Sequence, residues 1–460
     1  MKNLFAFAAV ATTCIYSVFP QDARAETLVD AVYNAVSNSE ARKAAISGIE
    51  AQGRMITIAQ GDKRAQVNLF GSVAAEWVDD PTLDAADNRD TKFARIIGVD
   101  VQVNLLDGMR AMNRIYREAT LLDAEIIRLS DATETLALNA IQAYIDVVRH
   151  RNIVEASRRN LARHGEISRQ VAEQVDAGKL SEADRFRAND KLLAAQLALA
   201  ESEAQLGDAD SQFELVTGKR PTSTLSRAFH MHTPPSGEAV ETAAVTNSFQ
   251  MRLAQTDIQA QTYQGAIDEA DWKPRLDAFV GADIGQNQEG ARGTDSTIAA
   301  GVRLNWTLYK GNTREATRAR NRDLLIRAHY RLKQVENEVR DFARRAWNSY
   351  DSARERKLLL DRSVSTNELI VEAFRQEFEA AKRPLLQVLD AERALFNLRI
   401  RQINASAAHH YQGYRVLAAQ SKLSDHFGLT KEGRALNADF EDRVKSAPMD
   451  RFDVSAPALE

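Results

Sequence analysis

One short pattern occurs twice in this chain and limits what it can become. Gly98 to Gly108 reads GVDVQVNLLDG, and 203 residues later Gly301 to Gly311 reads GVRLNWTLYKG. Between the coincident glycines, apolar and polar residues alternate. The apolar set is Val99, Val101, Val103 and Leu105 in the first copy, and Val302, Leu304, Trp306 and Leu308 in the second. A period of two predicts a strand with one apolar and one polar face. Asp100, Gln102 and Asn104 then share the polar face of one strand, and Arg303, Asn305 and Thr307 that of the other. The opposed charges at Asp100 and Arg303 suggest a device for ordering the strands.

The duplication extends well beyond the strand. Ala35-Val-Ser-Asn-Ser returns as Ala244-Val-Thr-Asn-Ser at an offset of 209, and at that offset Val67–Phe70 falls on Leu276–Phe279. The change of six in offset falls in the second hairpin loop, Gln286 to Ser296, as expected for an exposed tip. Each copy reads helix, hairpin, long helix, tight break, helix. In the first, Thr27 to about Asp62 is helical, and Val67–Trp77 and Phe93–Leu106 are strands. A stretch from Met109 to about Ala177 follows, with Ile115, Ala119, Leu122, Ile126, Leu129, Thr133, Leu136 and Ala140 in alternating four-three spacing. That seam predicts coiled-coil packing. A helix of this length spans on the order of 100 Å. Gly178-Lys179-Leu180-Ser181 breaks it, and Ser181 with Asp184 is suited to cap the next helix. The second copy runs its long helix from about Thr313 to Glu379, breaks at Ala381-Lys382-Arg383-Pro384, and continues to about Leu423. The chain divides into a signal peptide (1–25), repeat 1 (26–218), a Pro-rich linker (219–238), repeat 2 (239–429) and a polar C-terminal tail (430–460).

Residues 1–25 carry the secretory pattern: Lys2, an apolar run from Leu4 to Val18, and Ala23-Arg24-Ala25 as an A-x-A cleavage site. The single cysteine, Cys14, lies inside it. An exported chain of this size without disulfides is held by long helices or by oligomerisation. The balance of 60 Lys+Arg against 64 Asp+Glu gives no basic surface for nucleic acid. Beyond the N-terminus no run of 18 apolar residues suggests a transmembrane helix.

Two hairpins give four strands, each with one apolar face, as in membrane barrels. Four strands cannot close a barrel, and open sheet edges are not viable in lipid. Several chains must therefore share one barrel if the strands are in a membrane; twelve strands from three chains enclose an aqueous channel. The soluble alternative packs the hairpins against helices as small sheets.

With these features in order, the chain resembles the TolC family of bacterial outer-membrane channel proteins, over roughly residues 27–430. The marks are Leu-Leu-Asp-Gly at 105–108 and Leu-Tyr-Lys-Gly at 308–311, turning into the long helices, and the tip segments Gly178–Ala188 and Ala381–Ala391, especially Val388-Leu389-Asp390-Ala391. The resemblance implies a mixed α/β membrane protein with two internal structural repeats. It would form a homotrimer in which a 12-stranded β-barrel, four strands per chain, sits in outer-membrane lipid and continues as a coiled-coil α-helical barrel across the periplasm. It also implies two partners, a periplasmic adaptor (membrane fusion protein) and an inner-membrane ABC transporter or proton-driven pump. Spacing and tail look most like members serving type I protein secretion. Ala65, Ala381, Gln387 and Gln420-Ser421 depart from the family pattern.

No catalytic constellation, phosphate-binding loop or cofactor motif is present, so the expected role is a passive conduit. His409-His410 and His230-x-His232 are poor metal candidates, since adjacent helical histidines diverge by about 100°. Trp77, Phe93, Trp306 and Tyr309 are candidates for interfacial anchors. At the tips, Asp390 repeated by threefold symmetry would form an acidic ring favouring cations. Asp184 and Arg383 would form a latch at the periplasmic gate. Gly178, Lys179, Leu180, Ala381 and Lys382 would present the adaptor-docking surface. The competing readings are a drug or metal efflux channel, and a non-pore periplasmic coiled-coil or adhesin-like protein.

Overall fold

The computed structural model describes residues 25–83, 87–229, 231, 235–380 and 382–429. The signal peptide, apart from Ala25, and the tail from residue 430 lie outside the described residues. Helices α1 (Leu28–Asn38) and α2 (Glu40–Gly61) lead into strands β1 (Gln66–Trp77) and β2 (Thr91–Leu106), then α3 (Arg110–Asp176) and α4 (Glu182–Thr217). The same order follows in α5 (Gly237–Asn247), α6 (Phe249–Ala270), β3 (Arg275–Gln286), β4 (Thr294–Asn305), α7 (Thr313–Glu379) and α8 (Leu385–Ala419), with a short α9 (Leu423–His426).

The helical pattern of Thr27–Asp62 divides into two helices at Ser39. Ser39 is extended, and its Oγ accepts the Arg42 N–H at 3.2 Å. Ser248 does the same between α5 and α6, accepting from Met251 at 3.4 Å. A serine hydroxyl offers the backbone a local alternative to continuing the helix. At the first tip, Ser181 and Asp184 form the reciprocal capping box, and Gly218 closes α4 in the left-handed conformation.

All four strands form one antiparallel sheet in the order β1-β2-β3-β4. Both glycines of the duplicated pattern have a physical reason. Gly98 lies under the ring of Phe70 and Gly301 under that of Phe279, where a Cβ would meet ring atoms at 2.5 Å and 3.2 Å. Gly108 and Gly311 sit at φ +66° and +51°, where a strand turns abruptly into a long helix. One expectation is corrected. The second strand stops at Asn305, so Trp306, Thr307, Leu308 and Tyr309 lie beyond it. Asn305 pairs with Arg275, the first residue of β3. Before that stands Pro274, which has no N–H to extend a ladder. β2 runs four residues further by comparison, with a bulge between Asn104 and Leu106.

The helices α3 and α7 have 67 residues each and span about 100 Å. The largest core lies part-way along them, where α1, α3, α4 and α8 meet around Tyr144, Phe213, Ile141 and Tyr414. The Tyr144 Oη lies 2.8 Å from the carbonyl oxygens of both Glu26 and Ser226, and its single proton is shared between them. This fastens the start of the described chain and the segment after α4 to α3. A second buried group fastens the C-terminal end: Glu134 of α3 accepts the N–H groups of Leu423 (3.1 Å) and Ser424 (2.7 Å) at the start of α9.

This clasp predicts a pH dependence. Burial pushes the Glu134 carboxyl up to about 7, from 4.5, against hydrogen bonds from Ser424 and Leu423 that favour the charged form. The folded chain therefore keeps a proton that the unfolded chain releases. This contribution is full below pH 4.5 and is lost as pH rises through about 7, by about 3 kcal/mol. His410 acts in the opposite sense. Burial, helped by the His409 charge, holds it down to about 4, from 6.5, so its contribution is lost as pH falls from 6.5 through about 4. Glu134→Gln removes only the first of these. In denaturant melts the variant is expected to gain more stability than the wild type between pH 5 and 7.5. Identical pH profiles for the two proteins would show that Glu134 does not titrate in this way.

Candidate functional site

The strand register builds a two-sided wall. Asp100 lies opposite Asn68 on β1 and Gly281 on β3; Asn104 lies opposite Asp277, which in turn faces Arg303 on β4. Gln102 faces Gln66 and Phe279, and Asn305 faces Arg275. Directly opposed residues share a face. Asp100, Gln102, Asn104, Arg303 and Asn305 thus line one side of a single sheet, as their spacing suggested. Asn68 Nδ2 donates to Asp100 Oδ2 at 3.0 Å, Arg275 Nε donates to Asp277 Oδ1 at 3.0 Å, and the Arg303 guanidinium lies 5.0 Å from the centre of the Phe279 ring. The expected relation between Asp100 and Arg303 is not found within the chain. β3 stands between their strands, and the acid opposite Arg303 is Asp277, only 3% exposed. Asp277 was not anticipated, although the offset of 209 from Asn68 on the polar face pointed to it.

The other face carries Val67, Leu69, Val73, Ile97, Val99, Val280, Ile298, Val302 and Leu304, all exposed, Ile298 to 83%. Trp77 and Phe93 are exposed near the hairpin tip, and Trp306 and Tyr309 at the far end. A strand of 12 residues is roughly 36 Å long, and tilted by about 40° it rises about 28 Å, the height of an apolar bilayer band. At the base of the sheet, Asn104, Asn305 and Thr307 border a hollow of about 400 Å³ with Asp107, Arg110, Arg114 and Asp271. Arg110 pairs with Asp271 of α6, and Arg114 with Asp62 at 2.6 Å.

At the opposite end, Ile167 and Val171 of α3, Ala188 of α4, Phe378 of α7 and Leu385, Val388 and Leu389 of α8 join the two tips in one apolar cluster. Asp184 and Arg383 are not brought together within the chain. Asp184 is held by Ser181 and lies 3.5 Å from Arg187. Arg383 pairs with Glu377 at 2.5 Å, reaches Gln387, and stacks over Phe374 at 3.6 Å from the ring centre. Each is satisfied by its own hairpin: Asp184 by Ser181 three residues before it, and Arg383 by Glu377 and Phe374 on the last turns of α7. Asp390 is exposed rather than enclosed by apolar neighbours, because Val388 and Leu389 turn into the cluster and leave it on the free side of α8. Gly178, Lys179 and Lys382 are exposed, whereas Leu180 packs against the cluster. Ala381, His230 and His232 lie outside the described residues. His409 and His410, both half-buried, stack on Tyr350 and Phe229 (5.2 and 4.5 Å between ring centres).

Residues 242–412 match the family model described as outer membrane efflux protein. The chain is 23% identical over 419 residues to the outer membrane efflux protein BepC of Brucella suis, covering 89% of this chain and 88% of that protein. It is 21% identical over 280 residues to the alkaline protease secretion protein AprF of Pseudomonas aeruginosa, covering 59% of this chain and 58% of that one. The solved structure of the CmeC outer membrane channel of Campylobacter jejuni superposes with a TM-score of 0.72 at 13% identity, covering 92% of this chain and 90% of that chain.

A sheet with one apolar and one polar face, extended by two helical hairpins of about 100 Å, is the architecture of the outer-membrane channel on which the chain superposes. The chain is thus similar to outer membrane efflux proteins in the matched domain, along most of its sequence and in fold, which is the similarity that the resemblance to TolC had implied. Such proteins are passive channels, not enzymes.

Proposed function

We propose that three copies of this chain close a twelve-stranded barrel in the outer membrane and a helical tunnel below it, forming the exit duct of a tripartite export machine. The observation that carries this reading is the unclosed sheet. Four strands expose one apolar face, and both edges, β1 and β4, lack a strand partner among the described residues. In lipid those edges must be paired. A periplasmic adaptor and an inner-membrane ABC transporter or proton-driven pump supply cargo and energy. Similarity to AprF supports secreted protein as cargo, and the longer match to BepC supports efflux as the second reading. Heat-resistant trimers in the outer-membrane fraction, conducting in a planar bilayer, test the duct. A monomer without conductance would overturn it. Deleting the gene then separates the cargoes, by loss of an exoprotein from the medium or by drug sensitivity.

The tips form the entrance, with Asp390 of each copy as an acidic ring and Gly178, Lys179 and Lys382 as the exposed docking surface. Arg383 holds its own hairpin closed through Glu377 and Phe374 rather than through Asp184. Arg383→Glu sets a carboxylate against Glu377 and over the negative face of the ring. Losing the ion pair and the ring contact costs about 2 kcal/mol, enough to raise the open population roughly 30-fold. A comparable rise in closed-state leak is expected from purified trimers, and unchanged conductance would refute the role.

A further inference from the structure

We infer the register in which neighbouring subunits join, and with it a strand segment that forms only on assembly. The inference rests on the trimer reading above. The two hairpins are structurally equivalent at the level of single side chains: Phe70 covers Gly98 in the first as Phe279 covers Gly301 in the second. These pairs are related by the same offsets of 209 for β1 to β3 and 203 for β2 to β4 that the sequence shows. The seam between β2 and β3 inside the chain therefore serves as a template for the seam between β4 of one subunit and β1 of the next.

Within the chain, Val99 faces Ala282, Val103 faces Ala278, Asn104 faces Asp277 and, after the bulge, Leu106 faces Leu276. Moved by the two offsets, these become Val302 opposite Val73, Trp306 opposite Leu69, Thr307 opposite Asn68 and Tyr309 opposite Val67 of the neighbour. Side-chain faces agree throughout. Val302, Val73, Trp306 and Leu69 are exposed on the apolar side, while Asn68 lies on the polar side with Asp100. Leu308 takes the place of the bulged Leu105, so Tyr309 turns outward next to Trp306.

This explains the unequal strands. β2 ends at Leu106 because β3 supports its last residues, after the pairing with β1 has stopped at Gln66. The equivalent residues after β4, Trp306 to Tyr309, have no such strand beside them among the described residues and fall outside the ladder. The N-terminal residues of β1 from a second copy supply it. Thr307 thereby joins the polar wall, and Trp306 and Tyr309 form the lower aromatic belt, on assembly alone.

Disulfide trapping tests the register. In a Cys14→Ser background the chain has no other cysteine. Two matched double variants, Asn68→Cys with Thr307→Cys and Val73→Cys with Val302→Cys, are compared with two shifted ones, Gln66→Cys with Thr307→Cys and Ala75→Cys with Val302→Cys. The matched positions on β4 are five apart, so one falls in a hydrogen-bonded pair and the other in a non-hydrogen-bonded pair. A shift of two residues moves the partner by about 6.8 Å, out of disulfide reach. Oxidised outer membranes are expected to give covalent dimers and trimers at least tenfold more from a matched pair than from its shifted control. On the unmodified trimer, those amides among Trp306 to Tyr309 that point at the neighbour's β1, alternate ones along the strand, are expected to exchange slowly with deuterium. Trimers that cross-link best in the shifted pairs, or that leave these amides fast-exchanging, overturn the register while leaving the trimer standing. Absence of any trimer, by mass and by all four pairs, overturns both.

Discussion

Val280→Arg is expected to abolish assembly in the outer membrane while leaving the helical arms able to fold. Val280 is near the middle of β3, opposite Val101 and Ala300, and 53% of it is exposed on the apolar face. An arginine at the bilayer midplane costs about 2–4 kcal/mol per copy on a barrel exterior. Threefold symmetry raises this to about 6–12 kcal/mol per channel, a fall of at least four orders of magnitude in the assembled fraction. Outer-membrane fractions should lose the heat-resistant band, and the chain should accumulate unassembled. The contrasting variant is Asp100→Asn on the polar face, which should assemble normally and alter only ion selectivity. If Val280→Arg assembles as well as the wild type, the apolar face does not meet lipid.

The second large effect lies in the helical core. Phe213 is fully buried under Tyr144, with ring centres 6.4 Å apart. Phe213→Ala leaves a cavity there, and such truncations cost about 3–5 kcal/mol. The loss falls where α4 meets α1 and α3, so it also loosens Tyr144, whose hydroxyl fastens Glu26 and Ser226. The expected result is a marked drop in the thermal midpoint of the helical circular-dichroism signal in detergent, largely restored by Phe213→Leu. An unchanged midpoint would mean that the arms are stabilised elsewhere, at the tips or by assembly.

Much of the fold was legible because its rules are local. Alternation at Val99–Leu105 requires a strand, four-three spacing from Ile115 to Ala140 requires a long helix, and Ser181 with Asp184 is a cap whose bonds span three residues. The break at Ser39 was missed because it shows only as one five-residue step, Val36 to Ala41, in an otherwise helical spacing, together with the serine hydroxyl. The tip charges were misjudged for a related reason. Asp184 and Arg383 stand in the two corresponding tip turns, but Ser181, Glu377 and Phe374 are their partners in space. Buried Glu134 left no signal, because its partners, Leu423 and Ser424, are backbone amides almost 300 residues away.

The sequence by itself determined the two-sided strands, the doubled plan and the length of the arms, since periodicity and offsets depend only on the order of residues along the chain. The tertiary structure decided which polar residues meet across the wall, that Asp277 and not Asp100 answers Arg303, and that β4 ends four residues short. Those outcomes depend on register and on which strand lies beside which. Register is set by hydrogen bonds between segments far apart in the chain, and no pattern within one strand records its neighbour.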